Sequence, residues 1–216
     1  PRPLDVGNEN ERKDAEIELE IPNMEHPPRI FPGYNLLFAG TMNEDESTQS
    51  LSDKVVDRAN ILRFSAPKKI KDGKAVGTVE PTMALSQQTW ESWGRSIASV
   101  DSVGRVTGRL EQMVDLMRDF KRPFGHRLGR AIMAYAANYP EVEGGRGVDD
   151  ALADQVEMRL LPKLRGVEID MAGPQFSNLI NFVERELGDD ALAQAIDESM
   201  SIAETSGQFV WSGVTR

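Results

Sequence analysis

From Leu85 onward, apolar residues return at helical spacing, and that recurrence restricts the second half of the chain to packed helices. Leu110, Met113, Val114, Met117 and Phe120 form one stripe, and Leu128, Ile132, Tyr135, Ala136 and Tyr139 form a second, closed by Pro140. Phe176, Leu179, Ile180 and Val183 make a third, and Leu192, Ala195 and Ile196 a fourth. A period near 3.6, with charged residues between, puts each set on one helix face that must be buried against another. A loop rich in glycine (Gly144, Gly145, Gly147) precedes a helix expected over roughly 149–164, bounded by Pro162 and Gly166. The last two helices are expected over about 175–187 and 189–204. Trp90 and Trp93 fall in a first helix and are expected as packing anchors.

The first part of the chain has a different texture. Between Ala15 and Ile21, glutamates alternate with Ile17, Leu19 and Ile21, the period-2 pattern of a half-buried strand. Pro22, Pro27, Pro28 and Pro32 then interrupt regular structure. Leu36–Ala39 is an apolar run too short for a helix and reads as a buried strand, which ends on Thr41, Met42 and Asn43. Ligands of open α/β sheets gather beyond the carboxyl ends of strands, so Asn43 is the first candidate for chemistry. A polar loop (Glu44–Gln49), an N-cap at Ser50 with Asp53 three residues on, and Leu51, Val55 and Val56 predict a short helix. It ends at Asp57-Arg58, and Ile61–Phe64 reads as another strand. A basic loop from Pro67 to Lys74 follows. The module boundary lies between there and residue 83, giving modules 1–80 and 81–216.

A strand, a polar Asn, a short helix delivering an Arg and a second strand resemble the sensor 1 and arginine-finger region of AAA+ NTPases. The wording GTMNEDES followed by SLSDKVVDRA is similar to the McrB-like branch, which includes the GTP-driven motor of a modification-dependent restriction system. The resemblance is specific over 34–64 and visible to the C-terminus. It implies a fold that is α/β followed by all-α: part of an AAA+ core sheet, then a helical lid bundle. It assigns Asn43 to sensor 1, orienting the attacking water, and Arg58 to the finger that reaches a neighbouring subunit's nucleotide. Lys54 and Arg63 are nearby alternatives, because the family's common double Arg is here Asp57-Arg58. Arg122–Arg130 resembles the lid helix carrying sensor 2, with Arg127 on the γ-phosphate and Arg130 one turn later as the alternative. LPKLRG, residues 161–166, resembles a recurrent lid phrase and is read as structural.

The implied cofactor is ATP or GTP with Mg²⁺, and the choice between nucleotides stays open. The implied partners are further copies in a homo-oligomeric, hexamer-type ring and a nuclease subunit of McrC type, with DNA engaged only indirectly. The chain contains no GxxxxGK[ST] phosphate loop and no apolar strand ending in Asp-Glu. The resemblance therefore places both motifs upstream of Pro1 in a longer polypeptide, leaving this fragment inactive alone. The bland competitor is a non-catalytic helical adaptor built on an AAA+ lid.

Charge and composition narrow the remaining classes. Acidic residues number 35 against 25 basic, a net charge of −10, which opposes general attraction to nucleic acid. With no cysteine there is neither a disulfide framework nor a thiolate metal site, which suits the cytoplasm. His26 and His126 have no ligand-spaced partners, so no metal site is expected. Asp149-Asp150 and Asp189-Asp190 sit at helix starts, where they favour the helix dipole. No stretch is long and apolar enough for a membrane span.

Overall fold

Alternating glutamates and aliphatics need a partner strand to become a ladder, and the partner found here is short. The computed structural model describes residues 8–33, 36–43, 51–64, 77, 83–99, 102–140 and 143–214. Contacts divide the chain into two compact units, 1–49 and 50–216. In the first, helix α1 (Glu9–Asp14) opens on Asn8, whose side-chain oxygen accepts from the N–H groups of Asn10 (3.1 Å) and Glu11 (3.4 Å). That cap occupies donors which a helix start otherwise leaves open. Strand β1 (Ile17–Glu18) pairs antiparallel with β2 (Arg29–Ile30), Ile17 facing Ile30 and Glu18 facing Arg29. Pro22 and Pro28, which cannot donate to a ladder, both lie in the connection at its Glu18–Arg29 end, where the Pro28 carbonyl accepts from Leu19 N–H at 3.0 Å.

The expected strand at Leu36–Ala39 is not formed. The Leu36 N–H closes a turn onto the Gly33 carbonyl at 3.1 Å, and Leu37 and Phe38 are 78% and 87% exposed. A strand must share its N–H and C=O groups with a neighbour, and no described residue offers this segment a ladder. The loops at 44–50 and 65–76 lie outside the described residues, the expected cap Ser50 among them.

The second unit is helical. Its elements are α2 (Asp53–Val56, with Ser52 at the N-cap position), α3 (Gln87–Ser92), α4 (Val103–Asp119), α5 (His126–Ala137), α6 (Val148–Gln155), α7 (Ile169–Asn181) and α8 (Asp190–Ala203). Helix α6 runs on through a π turn (Val156–Leu160) and a 3₁₀ turn (Leu161–Leu164); α7 continues into a second π turn (Phe182–Glu186). Met113, Met117, Leu128, Ile132, Leu152, Phe176, Leu179, Val183, Leu192 and Ile196 form one buried core. Burying a leucine or phenylalanine side chain contributes about 1.5–3 kcal/mol, so these stripes account for the helical fold. Helix α7 starts six residues before the expected 175 and carries Pro174 inside it. The carbonyl that loses its donor belongs to Asp170, which is exposed and open to water. Trp90 and Trp93 are corrected from packing anchors to a surface pair, 45% and 58% exposed with ring centroids 6.0 Å apart. Among the described residues, no helix is long and apolar enough to cross a membrane.

Ile61–Phe64, the other expected strand, forms no ladder and instead lies on the bundle. Pro162 has no N–H to give to Met158 four residues before it, and Ile61 N–H takes that carbonyl at 3.1 Å. Arg63 Nη1 donates to the Trp211 carbonyl at 2.7 Å. The C-terminal tail crosses this segment so closely that a Cβ at Gly213 (φ 90°) would strike the Arg63 carbonyl. Phe209 and Trp211 are buried, and the tail is tied on by Phe209 N–H to the Val167 carbonyl (2.8 Å) and a bridge between Glu168 and Gln208. The glycine-rich loop is likewise fixed: Arg146 donates to Asp150 (2.6 Å), the Leu187 carbonyl (2.9 Å) and Asp189 (3.0 Å). Asp189 in turn caps α8 through Leu192 N–H at 2.9 Å.

Candidate functional site, a cationic cleft

Helix α2 has only four residues, too short to persist alone, so what it packs on decides where Asp57 and Arg58 stand. It rests against the 3₁₀ turn of LPKLRG. Asp57, the residue after α2, accepts a hydrogen bond from Lys163 Nζ, and Arg127 Nη2 lies 3.8 Å from its other oxygen. Lys163 is held at the ion pair by its neighbours Pro162 and Leu164, both buried. Three segments distant in sequence thus meet at one carboxylate: the end of α2, the start of α5, and the turn after α6.

Around that meeting is a cleft of about 480 Å³, with walls from Leu51, Val56, Pro123 and Pro162. Lys121, Arg122, Lys163 and Arg165 bring positive charge to it, and Asp53 and Asp57 negative charge. The Lys163 hydrogen bond, with Lys163, Arg127 and Arg159 as nearby cations, outweighs burial and holds the Asp57 carboxyl below its ordinary value of 3.8. Arg159 is 7% exposed, and its Nε has no hydrogen-bond partner among the described residues. Burial lowers its pKa, Asp57 pulls the other way, and the Arg127 charge adds a smaller lowering. An excess of cations about one carboxylate is an arrangement that favours an added anion.

The four residues singled out from the sequence are placed as follows. Arg127 stands in the first turn of α5 beside Asp57. Arg58 is exposed in the turn after α2, next to Asp57 but not on the cleft wall. Arg130 is exposed one turn along α5 and likewise does not line the cleft. Asn43 is exposed in the first unit, on a stretch without regular structure. Lys163, Lys121 and Arg159 were not singled out from the sequence. Lys163 sat inside a phrase taken as structural, and its partner is 106 residues away.

A second cleft of similar volume is lined by Leu62, Arg63, Tyr135, Asp154, Met158 and Val214, among others. There the Tyr135 hydroxyl donates to Asp154 at 2.9 Å. Burial first, and Asp154 second, push the Tyr135 pKa far above 10, so the phenol keeps its proton. Among the described residues no group of three His, Asp or Glu side chains could hold a metal.

No curated protein and no solved structure gives a significant match to the chain. A family model described as a domain of unknown function, DUF8727, matches residues 82–207. The match runs from the approach to α3 to the start of the tail and includes Lys121, Arg122, Arg127 and Lys163, whereas Asp57 and Arg58 lie before it. With more than half of its length matched, the chain belongs to the DUF8727 family.

Proposed function

We propose that the chain is the sensor 1, arginine-finger and lid portion of a ring-forming AAA+ NTPase of the McrB-like type, the motor of a DNA restriction or defence system. In this reading the substrate is ATP or GTP with Mg²⁺, the ring is of hexamer type, a McrC-type nuclease is its partner, and the site is cytoplasmic. One observation carries it. The segments whose wording resembles the family, Asp57-Arg58, Arg122–Arg130 and Leu161–Gly166, meet at one cleft although they are far apart in sequence. A finger acts by presenting a guanidinium to charge that develops during phosphoryl transfer, which needs an exposed Arg on a fixed support. Arg58 is exposed, and the support is the Asp57–Lys163 pair. Arg127 contributes positive charge for the γ-phosphate, and Asn43 an amide for the attacking water.

In the polypeptide that carries this chain, Asn43→Ala and Arg58→Ala should each abolish NTP turnover, by about a hundredfold or more, with nucleotide affinity retained. Mixing the Arg58 variant with one that cannot bind nucleotide should restore part of the activity, as a finger acting across subunits requires. Normal hydrolysis by both variants would discard this reading. A second reading, a non-catalytic helical adaptor, is favoured by the exposed Trp90–Trp93 pair. It predicts that Trp90→Ala impairs partner capture and leaves any turnover unchanged.

A further inference from the structure

Helix α4 ends on a residue that disfavours the ending. Lys121 has φ 58°, its N–H bonds the Arg118 carbonyl at 2.9 Å, and Arg122 N–H reaches back to the Met117 carbonyl at 2.9 Å. This pair of bonds makes a left-handed helix stop whose usual occupant is glycine, because a Cβ there is crowded by the following carbonyl. A glycine at 121 would suit the backbone better. Conformations that cost stability tend to gather where a ligand is handled.

What surrounds Lys121 identifies the ligand. Lys121 and Arg122 both line the cleft, both are exposed, and neither has an ion-pair partner among the described residues. Lys163 stands across from them with its ammonium on Asp57, and Arg127 shares that carboxylate. The lining carries four basic side chains against two carboxylates, and Arg127 and the buried Arg159 add positive charge near one of these, Asp57, in a chain whose net charge is −10. So sharp a local reversal of sign focuses small anions, while the acidic remainder repels a long polyanion. The volume of about 480 Å³ falls within the range of small-ligand sites.

We infer that the cleft formed by α2, the Lys121–Pro123 turn and the Pro162–Arg165 turn binds a short polyphosphate, with Lys121, Arg122 and Lys163 as its ligating side chains. The inference needs only this chain's own residues and does not depend on hydrolysis or on a ring. Free polyphosphate and the phosphate chain of a nucleotide share the recognised chemistry.

The test is calorimetric titration of the chain with tripolyphosphate, ATP, GTP and a short single-stranded DNA, at low and raised salt. Tripolyphosphate should saturate one site and weaken with salt. Equal binding of tripolyphosphate and the nucleotides means that the phosphate chain alone is read; tighter nucleotide binding adds a contact from the base or sugar to the same site. Lys121→Gly should bind about tenfold more weakly while its Tm rises by about 1–4 °C. A lysine with a merely structural role would not move the two readouts in opposite directions. Arg122→Gln should weaken binding similarly with Tm unchanged. The inference is overturned by absence of saturation, by Lys121→Gly binding as tightly as the parent, or by the DNA strand displacing tripolyphosphate at lower concentration.

Discussion

Segment 51–64 meets the helical bundle twice, and the two meetings are made of different chemistry. At the front, α2 is held through charge: Asp57 to Lys163 and Arg127, at a carboxylate that is 40% exposed. At the back, Ile61–Phe64 is held through backbone carbonyls: Ile61 N–H on the Met158 carbonyl, the Arg63 guanidinium on the Trp211 carbonyl, and Gly213 pressed against Arg63. At the back, both carbonyls are occupied by donors from the segment itself. At the front, an ionic seam carries extra cations, and an anion entering it competes with Asp57 for Lys163. The contrast assigns permanence to one end of the segment and responsiveness to the other.

The contrast can be broken first at the back. Gly213→Ala adds a methyl group where the Arg63 carbonyl already sits and forces a side chain into φ 90°. It should cost roughly 2–4 kcal/mol, read as a lowered urea midpoint, and the loss should be independent of salt. Ile61→Pro removes the donor to the Met158 carbonyl and should cost about 1–3 kcal/mol, again without salt dependence. At the front the effects should be smaller and responsive to conditions. Lys163→Met should cost about 0.5–1 kcal/mol, with the difference from the parent shrinking as salt is added. Because the Asp57 carboxyl is held below 3.8 when folded, its contribution is complete above that value and is lost as pH falls below it. Acid titration of the parent should therefore release α2 below about pH 4, and Asp57→Asn should remove that step. A salt-dependent Gly213 variant, or a salt-independent Lys163 variant, would erase the distinction between the two seams.

How much of this was written in the sequence differs by region for a physical reason. Helical burial repeats every three or four residues, so the stripes through Met113, Ile132, Phe176 and Ile196 were legible locally, and each is buried. Strands were legible only in part, because pairing depends on a partner elsewhere: of the alternating run Ala15–Ile21, Ile17–Glu18 pairs. Leu36–Ala39 has the apolar content of a strand but no ladder, and Ile61–Phe64 found a helix carbonyl and the tail instead. The tryptophans misled because apolar area alone does not say whether a core is within reach. At the cleft, Arg127, which stands beside Asp57, was singled out by resemblance, while Lys163 was passed over because an ion pair spanning 106 residues leaves no local pattern. Lys121 was invisible for another reason: nothing in its neighbours' identity announces φ 58°.

The π turn at Val156–Leu160 has an angular consequence. A π turn holds one residue more than the α-helical path would need, and one residue of α-helix is about 100° of rotation. The turn absorbs that residue, so everything from Leu161 to Arg165 keeps the phase that an uninterrupted α-helix would give it. Deleting one residue within the turn should leave Lys163 at Asp57, whereas deleting one from the α-helical stretch before it would swing Lys163 about 100° away.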